Sequence, residues 1–202
     1  MSSRAYRTRG RTKRSEETRE RIKAAVRALL AEGTFHESTV EQVADRAGVA
    51  RATLYQHFRS RLELVDAICE TFDENPALLR LRQTVDGADS GAALADTIAE
   101  AMRFWSSEDP VLRHLYGVAS IDPAAQDLID RQRADRRGEL QRLARNISRA
   151  GRLPDGTSEQ RAVSLLLVLT SYESFRELRE AGLSDRQLTA TLQQAARDLL
   201  LT

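Results

Sequence analysis

The chain has 202 residues, of which 41% are hydrophobic and 30% charged, enough for one large or two small globular domains and too apolar to stay disordered. Cys69 is its only cysteine, which excludes an intrachain disulfide and a multi-cysteine zinc site. The net charge of +1 hides an asymmetry: residues 1–61 hold 14 basic and 7 acidic side chains, whereas the remainder holds 17 and 23, a basic head on an acidic body.

No apolar run approaches the ~18 residues of a membrane helix. The basic N-terminus lacks the apolar stretch of a secretory signal, so a cytoplasmic protein is expected. Period-2 alternation of β-branched residues is absent, and every clear segment has helical spacing, which predicts an all-α fold.

Residues 1–14 carry Arg4, Arg7, Arg9, Arg11, Lys13 and Arg14 and no acid, the composition of a disordered basic arm. Two readings stand for it: arginines inserted into a minor groove, or a tail adding only nonspecific affinity. Ser15 is placed to cap a first helix whose apolar stripe is Ile22, Val26, Leu29 and Leu30, with Gly33 near its end. Thr39 and Gln42 have the spacing of a capping box for a second helix, and Ser60 and Glu63 repeat it for a fourth. Asn75-Pro76 is expected to stop that fourth helix, whose stripe is Val65, Ile68, Cys69 and Phe72. Residues 77–90 are ambiguous, with VDGADSG reading as a loop.

Beyond Ser90, the residues Leu94, Ile98, Ala101, Met102 and Trp105 share one helical face. Asp109-Pro110 and Asp122-Pro123 each read as a cap followed by proline at the first helical position. The helix after Pro123 is expected to end at Gly151, and LPDG, residues 153–156, is a turn. A helix over about 158–180 contains the nearly all-apolar AVSLLLVLT, and a last one over about 185–200 carries Leu188, Leu192, Ala195 and Leu199 on one face.

The stretch richest in chemical meaning is TVEQVADRAGVARATLYQHFRSR, residues 39–61. Two short helical patterns flank a glycine. Ala44 supplies the small residue that closely crossing helices need, and Gly48, four residues on, tolerates positive φ in the turn. Val40, Val43, Val49 and Leu54 form the seam. An ordinary helical hairpin is the bland alternative. The second helix then presents Arg51, Ala52, Thr53, Tyr55, Gln56 and His57, with Phe58 facing inward. Arginine pairs bidentately with guanine, the methyls of Ala52 and Thr53 suit thymine, and Tyr55, His57 and Arg61 suit phosphate oxygens.

These residues resemble the DNA-binding head of the TetR family of one-component bacterial regulators. The resemblance rests on Thr39-Val40, Val43-Ala44, Ala47-Gly48-Val49, Thr53-Leu54-Tyr55, His57-Phe58, Ser60-Arg61 and Leu64. It implies about nine helices: a three-helix DNA-binding head over 15–61 and a helical ligand-binding and dimerisation body over 62–202. It also implies a homodimer through the last two helices, and backbone contacts from Thr39, Tyr55, His57 and Arg61 beside base reading from Arg51 and Thr53. Three departures stand out: Thr34, preceded by Gly33, occupies a frequent glycine position, Ala52 replaces another glycine, and Arg61 replaces a lysine.

For a small apolar or amphipathic ligand the body offers Phe72, Met102, Phe104, Trp105, His114, Tyr116, Tyr172 and Phe175, for any one of which core filling is the bland reading. RQRADRR, residues 131–137, reads as an anion site or as a solvated helix face with local pairing. His36, His57 and His114 are too scattered for a metal. No glycine-rich phosphate loop, HExxH, GxSxG or paired-carboxylate pattern occurs, so neither enzymatic activity nor a cofactor is expected. The expected function is a regulator, a repressor released from a near-palindromic operator by a ligand. A DNA-binding regulator or architectural protein without an effector is the alternative.

Overall fold

The computed structural model describes residues 3–202, with side chains described from residue 12 onward. Among the described residues there are ten α-helices, a short 3-10 turn at Phe35–Glu37, and no strand. The helices are α1 (Ser3–Ala31), α2 (Val40–Ala47), α3 (Arg51–His57), α4 (Arg61–Phe72), α5 (Pro76–Thr84), α6 (Ser90–Ala119), α7 (Pro123–Arg149), α8 (Glu159–Leu169), α9 (Tyr172–Glu180) and α10 (Asp185–Leu200).

Two compact units form. One comprises Met1–Thr71 with Pro110–Ile129, the other Phe72–Asp109 with Asp130–Thr202. Most of α4 and the last ten residues of α6 thus belong to the first unit.

In the first unit α1 already runs at Ser15, so that serine lies inside the helix and caps nothing. The expected basic arm falls largely on residues whose side chains lie outside the described ones. Ile22, Val26 and Leu30 of α1 are fully buried, with Phe35, Val43, Leu54 and Phe58. α1 ends where Gly33 adopts φ +75: Thr34 N–H then reaches Leu29 O and Gly33 N–H reaches Leu30 O, both at 3.0 Å. The turn that the displaced glycine left open is thus made by Gly33, and Thr34 follows in ordinary right-handed geometry.

In the second unit the ambiguous stretch resolves as α5, capped by Asn75 and started by Pro76. α5 is anchored by charge. Arg80 Nε lies 3.0 Å from the buried Glu100, and Arg82 bridges Asp73 at 2.6 Å and Glu139 at 3.0 Å. Buried carboxylates need such partners.

The sequence expectation fails at two proline or serine signals. α6 passes through Pro110 without restarting. Asp109 caps no helix; its carboxylate instead accepts the Tyr172 hydroxyl at 2.6 Å. Conversely, the helix expected over 158–180 breaks at Thr170–Ser171, where Ser171 accepts Ser174 N–H and starts α9. The carbonyl that the break frees, Thr170 O, accepts Trp105 Nε1 at 2.9 Å and Arg136 Nη1 at 3.0 Å. Tertiary donors thus stabilise an interruption that the apolar pattern hides. Asp122 does cap α7 as expected, and Gly151 (φ +65) ends it. On α10 the buried row is Leu188, Leu192, Ala196 and Leu200, one step beyond the predicted Ala195 and Leu199.

Candidate nucleic-acid interface

The helix-turn-helix is built from its caps inward. Thr39 Oγ1 accepts Gln42 N–H at 3.2 Å and Gln42 Oε1 accepts Thr39 N–H at 2.7 Å, a complete capping box that sets the start of α2. Gly48 ends α2 at φ 63 and ψ 39, which lets Val49 N–H reach Ala44 O at 3.0 Å. Ala44, Val43 and Leu54 are buried, whereas Val40 and Val49 are half-buried at the rim of the seam.

α1 holds this motif from behind. Arg21 Nη2 donates to Gly48 O at 2.8 Å, tying the turn to the first helix. Arg46 of α2 forms a two-pronged pair with Glu32 near the end of α1. Arg19 lies 4.5 Å over the buried Phe58 ring, with its guanidinium 3.5 Å from Glu70 of α4. The orientation of α3 is therefore set by charged staples as well as by the apolar seam.

The outward face of α3 carries Arg51, Ala52, Tyr55 and Gln56, all exposed, with Thr53 and His57 half-buried. Tyr55 keeps 40% of its surface in solvent, unusual for a large ring without a role at a surface. Arg51 Nη1 lies 2.9 Å from Glu41 Oε1, and its guanidinium sits 5.5 Å from the Tyr55 ring centre. Glu41 is held below the ordinary carboxylate range, first by a hydrogen bond from its own backbone N–H and further by Arg51. Tyr55, then Glu41, raise the already high pKa of Arg51. Both charges therefore persist through physiological pH.

Of the seven residues expected here, Thr39, Arg51, Ala52, Thr53, Tyr55 and His57 lie at the start of α2 or along α3. Arg61 does not join them in kind. Its Nη1 donates to Ser38 O at 2.6 Å, its Nη2 donates to Phe35 O, and its guanidinium stacks 4.0 Å from the Phe35 ring. Burial lowers its pKa. Both prongs close the α1–α2 connection onto the start of α4. Sequence reasoning missed Glu41, Arg21 and Arg59. Only Arg59 had a local signal, a basic residue between α3 and the Ser60 cap; its side chain is exposed, while its backbone N–H is accepted by Glu63 at 2.6 Å.

The residues expected to line a ligand pocket divide. Phe72, Met102, Trp105, Tyr172 and Phe175 are buried in the second unit; His114 and Tyr116 belong to the first. Within the second unit the rings of Phe72, Phe104, Trp105, Tyr172 and Phe175 form a chain of contacts: Phe72–Phe104 at 5.8 Å, Phe104–Trp105 at 4.8 Å, Trp105–Tyr172 at 5.5 Å and Tyr172–Phe175 at 6.0 Å. The polar ends of Trp105 and Tyr172 are already bonded, to Thr170 O and Asp109. His114 packs against the α1 terminus, where a Cβ on Gly33 would come within 2.6 Å of its Nε2.

Residues 22–68 match the family model described as bacterial regulatory proteins, tetR family. The regulator UidR of Escherichia coli strain K12 is 33% identical over 73 residues, which are 36% of this chain and 37% of that protein. The activator FasR of Mycolicibacterium smegmatis is 35% identical over 60 residues, 30% of this chain and 27% of that one. Each match thus spans well under half of the relative's length. Among solved structures, Salmonella enterica GusR superposes with a TM-score of 0.71 at 22% identity, covering 91% of this chain and 95% of that one. SmeT, the repressor of the Stenotrophomonas maltophilia multidrug efflux pump SmeDEF, gives 0.69 at 18% identity, covering 92% and 93%. These likenesses extend the shared fold across both units. No helix among the described residues is long and apolar enough to cross a membrane.

Proposed function

Because the chain belongs, through its N-terminal domain, to the tetR family of bacterial regulatory proteins, we propose that it is a sequence-specific transcriptional regulator. It acts as a repressor that a small molecule releases from a near-palindromic operator. The observation that carries the reading is the exposed Arg51–Tyr55 face of α3, fixed from behind by Arg21 and the αL Gly48. Arg51, Ala52 and Thr53, at the N-terminal end of α3, meet base edges; Thr39, Tyr55 and His57 contact the backbone.

Two copies are needed to read a two-fold site, and α8 and α10 supply the dimer face. Val168 on α8 is 62% exposed and Leu199 on α10 45% exposed, apolar side chains that a dimer contact through these helices would cover. Sedimentation of the purified chain, with operator titration in parallel, tests this. Wild type is expected to be dimeric, while Val168→Asp with Leu199→Asp gives folded monomers with much weakened operator binding. A dimeric double variant would remove α8 and α10 from the interface.

A second reading, a DNA-binding protein without a small-molecule effector, is favoured by one observation. The aromatic side chains of the body pack on one another with their polar ends satisfied.

A further inference from the structure

The basic run of α7 is only partly consumed by the fold. Arg133 pairs with Asp130 and Glu173, both at 3.3 Å. Arg136 donates to Thr170 O and lies 5.8 Å from the Trp105 ring centre. Arg137 and Arg145 behave differently. Both are exposed, and among the described residues neither guanidinium has a hydrogen-bond or ion-pair partner. With Gln141 between them they stand on one row of α7, at steps of four residues, and so are spaced about 12 Å along the helix axis. That row forms one wall of an open cleft of about 440 Å³, whose other wall is Glu159, Gln160, Val163 and Ser164 of α8.

We propose that this cleft binds a small molecule carrying at least two acidic groups, one for each of Arg137 and Arg145. A guanidinium presents a planar fork that matches a carboxylate or a phosphate with two parallel hydrogen bonds. Two forks that start two helical turns apart on flexible side chains can converge on one ligand, each taking its own acidic group. Gln141, Gln160 and Ser164 supply neutral hydrogen bonds, and Val163 gives the floor a single apolar contact. Glu159 repels a third acid and favours a hydroxyl or amino group on that side of the ligand. The volume falls in the range of small-molecule sites. The aromatic set offers no such chemistry, since its polar ends are bonded internally. The inference rests on the proposed effector-responsive function only for what binding does, not for binding itself.

Calorimetric titration of the full-length chain tests it, with citrate as the carboxylate probe and pyrophosphate as the phosphate probe. Saturable binding of at least one probe is expected. Arg137→Gln and Arg145→Gln should each weaken it tenfold or more, and the double variant, shown folded by its circular dichroism melt, should not bind. The preferred probe identifies the acidic group. Failure of both probes, or binding that survives in the double variant, overturns the site. DNA titration of the same samples separates the two readings: a bound anion that leaves operator affinity unchanged keeps the cleft and removes the effector function.

Discussion

Arg51 Nη1 of α3 lies 2.9 Å from Glu41 Oε1 of α2, so the side chain proposed to read bases is held by the preceding helix of the same motif. Both partners are largely solvent-exposed, which keeps the pair weak and readily exchanged. On the proposed reading, guanine offers the same fork a bidentate acceptor that can replace Glu41. Glu41 therefore penalises Arg51 for leaving its partner for anything poorer than a matched base.

Arg51→Ala is expected to cost about tenfold or more on selected DNA and to relax preference at one base pair per half-site. Glu41→Gln should instead raise affinity for random DNA more than for selected DNA. Fluorescence anisotropy against single-base-pair variants measures both. Equal losses on selected and random DNA for Arg51→Ala would remove it from base reading.

Arg61→Lys separates an internal staple from a phosphate contact. Lysine cannot fork to Phe35 O and Ser38 O while stacking on Phe35, so stability should fall by about 1–3 kcal/mol. The salt dependence of DNA binding should stay the same. A slope reduced by about one, with an unchanged urea midpoint, would return Arg61 to the phosphate backbone.

Gly33→Ala places a β-carbon at φ +75 and within 2.6 Å of His114 Nε2. The left-handed backbone alone costs about 1–2 kcal/mol, and the imidazole must also move. Urea unfolding should show at least that loss. Adding His114→Ala should recover only the steric part, and full recovery would mean that backbone conformation contributes nothing.

Burial raises the Glu139 pKa, and Arg82 offsets only part of the shift. A carboxyl raised on folding favours the folded state while protonated, and that contribution is lost as pH rises through the folded value. Glu139→Gln keeps an acceptor for Arg82 Nε and removes the charge. The stability of the wild type relative to the variant, read from the urea midpoints, should therefore fall as pH rises between about pH 4 and 7. A difference that grows with pH would show that the ion pair, not burial, governs Glu139.

Much of the head is legible in sequence because its signals are local. The Thr39–Gln42 box, the Ala44–Gly48 spacing and the inward Phe58 each depend on neighbours within a turn or two, and each stands as read. Where long-range partners decide, the same signals mislead. Asp109-Pro110 has the form of a helix start, yet Tyr172, 63 residues away, takes the aspartate and α6 continues. Thr170-Ser171 sits in an apolar run with no glycine or proline, yet Trp105 and Arg136 reward a break there. The carbonyls that Arg61 reaches lie 23 and 26 residues upstream, beyond any local signal. The unpaired Arg137 and Arg145 are indistinguishable in sequence from Arg133 and Arg136, which the fold uses.

Everything proposed here for the head depends on sequence-specific reading by a dimer. Selection of bound fragments from random duplex DNA by the purified chain, at about physiological salt, tests it most directly. A dimeric reader enriches an inverted repeat whose half-sites lie about 34–36 Å apart, centre to centre, or a multiple of that. Salt-sensitive binding with no enriched motif would contradict it and leave the head as a nonspecific clamp.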